Sequence, residues 1–415
     1  MKRVVITGMG AVTPLGNNVT DFWNGLITGK SGIVPITKFD ATPFKTRFAG
    51  EVKNFDPLLY MEKAEARKMD LYSQYSIAVM DECLKDSGID LEKTDLGKFG
   101  VIWGTGIGGI QSFEDELISF AKNPEMPRFS PFFITKMISN MAAGLISIRY
   151  KLRGVSYTTT SACASSNNAI VDAFNLIRLG KANVIFAGGS EAAITKSGVG
   201  GFSAMKALSE RNDSPETASR PFDVGRDGFV MAEGAGVLMI EELEHAKKRG
   251  AKIYCEIAGC GFGSDAYHIT ATHPDGIGAV AAMRDAIDEA GLKPEDVDYV
   301  STHGTSTPVG DISECRAMVT VFENSLDKLN ISATKSMTGH LLGAAGAIEA
   351  IACVKAIETG IIPPTINISE RDSAIDSRLN FTANKAVKKE VNVALNNTFG
   401  FGGHIFVSLY KKYIA

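Results

Sequence analysis

The stretch Ser156-Tyr157-Thr158-Thr159-Thr160-Ser161-Ala162-Cys163-Ala164-Ser165-Ser166 runs from a β-rich segment into a helical one. Hydroxyl and aromatic residues over Ser156–Thr160 suit a strand, and Ala164–Leu179 has the spacing of an amphipathic helix. Cys163 therefore falls at a strand-to-helix turn among small side chains that leave room for a substrate. A helix start supplies unpaired N–H groups and partial positive charge, and both favour a thiolate. The segment alone also allows a small buried cysteine that merely packs the start of a helix.

Outward from this point, strand-like and helix-like runs alternate. Arg3–Thr7, Phe99–Gly104 and Val184–Ala187 read as strands, and Ala66–Asp86 and Pro131–Leu152 as helices. The second half repeats the style, with strands at Ile253–Ala258, Tyr299–Thr302, Ile331–Ala333 and Val391–Asn396. Its helices fall at Gly276–Ala290, Asp311–Val321 and Leu341–Thr359. This alternation predicts an α/β fold. In the second half Thr334-Lys335-Ser336-Met337-Thr338-Gly339-His340 leads into a helix ending near Gly360, as the Cys163 run leads into one ending near Gly180. The parallel predicts a duplication with Cys163 and His340 in corresponding places, and halves at residues 1–250 and 251–415. The polar stretch Ser209–Gly228 reads as a long loop, and no flexible linker separates the halves.

The chain has 415 residues and a net charge of −4, from 43 basic and 47 acidic side chains. That balance argues against a general nucleic-acid binder. Six cysteines without a disulfide-like spacing favour a reducing, cytoplasmic compartment. The opening segment Met1–Leu15 reads as a core strand and turn, and no apolar run approaches the ~20 residues of a membrane helix. Cys255, Cys260, His268 and His273 are spaced too tightly for a two-Cys, two-His zinc finger, so no metal is expected there. Gly8-Met9-Gly10 lacks the third glycine of a dinucleotide loop and reads as a plain turn.

Two histidines stand out. His303 lies in Ser301-Thr302-His303-Gly304-Thr305-Ser306-Thr307-Pro308, among hydroxyls that suit a polar ligand channel; a satisfied loop histidine is the alternative. His340 precedes Leu341-Leu342-Gly343-Ala344-Ala345-Gly346, with Lys335 and Glu349 close enough to pair; helix packing with an incidental histidine is the alternative. Phe399-Gly400-Phe401-Gly402-Gly403 could aim a backbone N–H at an oxyanion or form a tight hairpin. His404 follows that loop and stands near it. His245, in the charged run Glu241–Arg249, reads as solvated, and His268 and His273 as loop residues.

Together these segments closely resemble the β-ketoacyl-acyl-carrier-protein synthase II branch of the condensing enzymes, over essentially the whole chain. Ala207-Leu208-Ser209, Ser219-Arg220-Pro221-Phe222-Asp223 and Arg226-Asp227-Gly228-Phe229 add to the match. The resemblance implies a thiolase-like fold, with two similar α/β halves in a five-layered α-β-α-β-α arrangement, and a homodimer. It implies an acyl group carried on Cys163 and a malonyl thioester that loses CO₂ while His303 and His340 donate to its carbonyl. Lys335, near Glu349, would support the histidines, and the backbone N–H groups of Cys163 and Phe401 would form an oxyanion hole. Ile107, Phe202, Thr305 and Thr307 match substrate-binding positions, and Phe401 a gate. Arg67, Lys68, Arg128 and Lys206, with Lys63 nearby, match basic positions that dock an acidic acyl-carrier protein. No cofactor of the enzyme's own is implied, since phosphopantetheine arrives on the carrier.

The pairing of two histidines favours elongation over initiation or thiolysis. Ala232 departs from the family's usual glycine, and Ile405 and Phe406 from its usual Asn and small residue. These departures leave open a specialised polyene or polyketide pathway. A silent chain-length partner subunit would lack the nucleophile that Cys163 supplies.

Overall fold

The computed structural model describes residues 1–414. Ten strands make up its main sheet: β1 (Val4–Val12), β2 (Phe99–Gly104), β3 (Ser156–Thr159), β4 (Val184–Glu191), β5 (Gly234–Glu242), β6 (Cys255–Ser264), β7 (Tyr299–Ser301), β8 (Asn330–Ser332), β9 (Val393–Gly400) and β10 (His404–Lys411). The spatial order is β8-β7-β9-β10-β6-β1-β5-β4-β2-β3. Read inward from each edge, both halves place their third strand first, then the second, fourth, fifth and first. The pairing sense also repeats. β2 is parallel to β3 and β4, β4 antiparallel to β5, and β5 to β1. β7 is likewise parallel to β8 and β9, β9 antiparallel to β10, and β10 to β6.

Within the main sheet the halves join where Val4–Ile6 pairs with β6. Beyond Ile6 the strands part, which would strand backbone donors of β1. Helix α1 (Leu71–Ser87) supplies the acceptors: Asp86 takes the Met9 N–H at 2.9 Å and Glu82 the Ala11 N–H at 2.8 Å. Gly8 and Gly10 lie inside β1 and not in a turn. A Cβ on Gly10 would stand 2.0 Å from the Val79 carbonyl oxygen, and one on Gly8 2.8 Å from that of Cys83. These glycines let α1 approach the strand, and they form no phosphate loop.

Two helices, α2 (Ser165–Arg178) and α5 (Ala345–Thr359), form the middle layer. α2 packs on β2 and β4 of the first half and on β10 of the second, while α5 packs on β5 and β9. Helix α1 covers the outer face of the first half; α3 (Ile277–Glu289), with α4 (Pro308–Phe322) against it, covers that of the second. The result is the five-layered α-β-α-β-α arrangement. Buried apolar residues of both halves meet around α2 and α5 in one continuous core.

Other readings need correction. Pro131–Leu152 is two helices, Phe133–Met137 and Met141–Tyr150, with Ile138 extended between them. Ser209–Gly228 is irregular as expected, with Arg220, Asp223 and Arg226 buried in it. His245 is not solvated: its Nδ1 lies 2.6 Å from the buried Glu241 carboxylate, which Arg249 and Thr7 also bind. Cys255 and Cys260 are buried in β6, and the His268 ring accepts N–H groups from Thr270 and Ala271 of its own loop.

The middle layer is tied to the second half by Asn167 on α2. Its Nδ2 reaches the carbonyls of Phe406 (3.0 Å) and Asn396 (3.3 Å) and the Thr398 hydroxyl, while its Oδ1 accepts from Ser408. Asn167→Ala would strand these buried groups and should lower stability by about 1–3 kcal/mol. Chemical denaturation measures this, and a midpoint equal to the parent's would contradict it.

Candidate active site

The duplicated halves build the site from their helix starts. Before α2 lies a tight turn, Ala162–Ala164, and before α5 a matching turn, Leu342–Ala344. Ala162 and Leu342 both adopt φ of +50°, in the left-handed region that side chains disfavour. Each stands three residues before its helix, so the counterpart of Cys163 is Gly343 and not His340. His340 lies earlier, in extended backbone: its N–H donates to the Val230 carbonyl and its carbonyl accepts from Ala232.

Cys163, His303 and His340 line one cavity of about 350 Å³. The two imidazoles meet edge to face with centroids 5.3 Å apart. Phe229 packs on His340 at 5.3 Å and Phe399 on His303 at 5.5 Å. Lys335, almost wholly buried, donates to Glu349 and lies 3.5 Å from His303 Nδ1. An ammonium has only protons to offer, so Nδ1 accepts and Nε2 carries the ring hydrogen. Burial and then the Lys335 charge hold both imidazoles well below the usual histidine range. Both are therefore neutral N–H donors at physiological pH.

Cys163 corrects an expectation. Burial pushes its thiol up to about 12, although Lys335 pulls it down. Glu191 and Glu349 add to the upward push. Desolvation outweighs the helix start, so the resting residue is a thiol.

Sequence patterns matching the Beta-ketoacyl synthase N-terminal domain cover residues 1–246, and those of its C-terminal domain residues 254–369. The chain belongs to the β-ketoacyl synthase family. It is 48% identical to a 3-oxoacyl-[acyl-carrier-protein] synthase 2 of Synechocystis sp. over 99% of this chain and 98% of that one. A namesake from Coxiella burnetii is 46% identical over 97% and 96%. Among solved structures, the ishigamide ketosynthase/chain length factor superposes with a TM-score of 0.92 at 33% identity, covering both chains fully. A type II polyketide ketosynthase in complex with its acyl-carrier protein gives 0.91 at 31%, again over both full chains.

The departures from the β-ketoacyl synthase pattern are absorbed locally. The Ala232 methyl fills space left by two glycines: a Cβ on Gly50 would stand 2.7 Å from it and one on Gly339 3.0 Å. Ile405 is buried in the core of the second half, beside Gly278, and Phe406 stacks on Phe262 at 6.4 Å.

The remaining candidate residues separate by position. Thr305, Thr307, Phe401 and His404 line the cavity with Cys163, and the Thr305 and Thr307 hydroxyls lie 3.0 Å apart. The Phe401 ring faces Phe202 at 6.4 Å. Gly400 is so close to the nucleophile turn that a Cβ there would lie 2.3 Å from the Ser161 carbonyl oxygen. Ile107 is 38% exposed and does not line this cavity. Lys63, Arg67, Lys68, Arg128 and Lys206 are exposed, and Lys206 also lines the cavity mouth.

Sequence reasoning missed Glu314. This buried carboxylate accepts the N–H groups of His303 and Gly304, both at 2.9 Å, and the Asn397 amide at 3.2 Å. Burial pushes its carboxyl up to about 7. Its trace in the sequence is the pair Asp311 and Glu314, three apart on the helix after the His303 run. Both are buried, and Asp311 accepts from Phe222 and Thr307.

The depressed histidines lead to a direct expectation. Each lowered pKa keeps its ring neutral as pH falls through 6.5. Nitrogen-15 NMR of labelled protein should show His303 and His340 neutral at pH 6, where an exposed histidine is mostly charged. Titration of either near 6.5 would contradict this environment.

Proposed function

We propose that the chain performs decarboxylative Claisen condensation, extending an acyl group on Cys163 with malonyl-acyl-carrier protein to give 3-oxoacyl-carrier protein in fatty acid elongation. The observation that carries this reading is the pair of neutral, facing imidazoles beside a buried ammonium, in the same cavity as a cysteine at a helix start. In the first stage the Cys163 sulfur attacks the acyl thioester carbonyl, and the carrier thiol leaves with the proton. The backbone N–H groups of Cys163 and Phe401 would hold the oxyanion. In the second stage the malonyl C–CO₂ bond breaks and charge moves to the thioester oxygen. Donors fixed in advance at that oxygen stabilise it without reorganising; His303 Nε2–H fits this role, and His340 stands opposite. The carbanion then attacks the acyl-cysteine, and Cys163 leaves as thiolate in the field of Lys335.

Fatty acid elongation is favoured over a polyene or polyketide pathway because identity reaches 46–48% to the two 3-oxoacyl synthases, against 33% to the ishigamide ketosynthase/chain length factor and 31% to the type II polyketide ketosynthase. A silent partner subunit is disfavoured by Cys163 itself. The same reading carries a cytoplasmic homodimer. β3 is an edge strand with its own Tyr157 exposed and Ile148 exposed on the preceding helix, which suits pairing with a second copy. No helix among the described residues is long and apolar enough to cross a membrane.

Cys163→Ala should abolish 3-oxoacyl product with little change in melting temperature, since the side chain is small. His303→Ala and His340→Ala should each slow CO₂ release from malonyl-carrier protein by about 10²–10³-fold, as loss of one oxyanion donor does. Acyl transfer to Cys163 should suffer less. Product from Cys163→Ala, or undiminished CO₂ release from both histidine variants, would overturn the assignment.

The exposed basic residues supply a second test, because an acidic carrier would meet Lys206 at the cavity mouth. The carrier KM should rise with salt, as charges farther apart than ~8 Å are screened at physiological ionic strength. Lys206→Glu should raise it further, and an unchanged KM would exclude Lys206 from docking.

A further inference from the structure

His340 has no side-chain hydrogen bond to set its ring. Its Nδ1 is buried without a partner among the described residues, whereas His303 Nδ1 faces Lys335. The segment Phe229–Glu233 holds it instead. The Phe229 ring packs on the imidazole at 5.3 Å. The His340 N–H donates to the Val230 carbonyl at 2.7 Å, and the His340 carbonyl accepts from Ala232 at 2.9 Å. A ring fixed through its backbone is only as well placed as the segment beside it.

That segment is the middle of a three-chain ladder. On its other side the Gly50 N–H donates to the Met231 carbonyl at 2.9 Å, and the Gly50 carbonyl accepts from Glu233 at 3.1 Å. The Ala232 methyl lies between Gly50 and Gly339, the residue before His340, so a shift of the segment also reaches the histidine by contact. Glu233 closes the ladder. Its buried carboxylate accepts the Val52 N–H at 3.1 Å and the Lys38 ammonium. Glu51 stands between Gly50 and Val52 but leaves the ammonium to Glu233. Its own oxygens take the N–H groups of Thr37 at 2.8 Å and Lys38 at 3.3 Å, and the Thr37 hydroxyl at 2.6 Å. Glu51 thus holds the backbone of Lys38 beside the ladder while the Lys38 charge turns to Glu233. Neither Lys38 nor Glu233 lines the cavity.

We infer that Lys38 and Glu233 are positioning residues for His340: their ion pair locks the ladder of Gly50, Val230–Glu233 and His340, and so sets the imidazole against the malonyl thioester. This rests on the role of His340 in decarboxylation given above. Decarboxylation draws on both imidazoles, whereas acyl transfer draws on the backbone N–H groups of Cys163 and Phe401. Loosening the ladder therefore separates the two half-reactions. Glu233→Gln keeps the shape and removes the charge, and Lys38, with its side chain 27% exposed, can then turn to water. Lys38→Met removes the other partner, and Lys38→Arg keeps the pair.

The test measures CO₂ release from malonyl-carrier protein and acyl transfer to Cys163 separately, with nitrogen-15 NMR of the histidines and melting temperature. Glu233→Gln should slow CO₂ release by about tenfold, inside the ~10²-fold loss that a remote mutation causes by misplacing a reacting group. Acyl transfer should stay near the parent's rate, and the His340 resonances should move further than those of His303. Lys38→Met should act in the same direction, and Lys38→Arg should behave as the parent. Equal losses in both half-reactions, or a lower melting temperature with CO₂ release and the His340 resonances unchanged, would reduce the pair to a structural role and overturn the inference. Failure of both neutral variants to fold would do the same. Undiminished CO₂ release from His340→Ala would instead remove the role of His340 itself, and this inference with it.

Discussion

The left-handed turn at Ala162 is the constraint on which the site depends. A non-glycine residue at φ +50° is disfavoured, by roughly 1–3 kcal/mol for such sparsely populated conformations. The turn persists because its surroundings over-determine it. Ser165 Oγ donates to the Ala162 carbonyl at 2.6 Å and accepts the Ser161 N–H at 2.9 Å, and Thr159 Oγ1 donates to the Ser165 carbonyl. Gly400 packs against Ser161 from the other half and Gly106 against Ala162 from its own. This enclosure sets Cys163 at the start of a central helix with its side chain in the cavity. The same turn recurs at Leu342, where the residue that follows is glycine. Duplication thus produced two frames, and one of them carries the nucleophile.

The electrostatics of the cavity follow from one buried cation. Lys335 lies between Glu349 and His303, and its charge reaches His340 and Cys163 as well. It disfavours a second positive charge, so both histidines stay neutral and keep the donors that a developing enolate needs. It favours a thiolate at Cys163, but burial prevails. The loop Phe399–Gly403 lines the same cavity and packs against the turn through Gly400.

Much of this was legible in the sequence, and the exceptions share a cause. Strands such as Phe99–Gly104 and the helix after Cys163 were readable because apolar periodicity is local. β5 escaped notice because it begins in Gly234-Ala235-Gly236 and ends in Glu241-Glu242, a pattern unlike a core strand. Its acid at Glu241 is tolerated only because Thr7, His245 and Arg249 converge on it from elsewhere. His245 was misread for the same reason. Glu191 and Glu314 were not singled out, because their partners are backbone N–H groups of other segments. The exchange of His340 for Gly343 as the counterpart of Cys163 came from matching residue types, whereas the correspondence is carried by backbone dihedral angles.

The central claim is that Cys163, alone among six cysteines, accepts an acyl group in this turn. The most direct measurement is intact mass spectrometry of the chain mixed with acyl-carrier protein before any malonyl donor is added, followed by peptide mapping. One acyl group per chain, located on the peptide containing Cys163 and discharged when malonyl-carrier protein is supplied, is the predicted result. An unmodified chain, or an acyl group on any other residue, would contradict it.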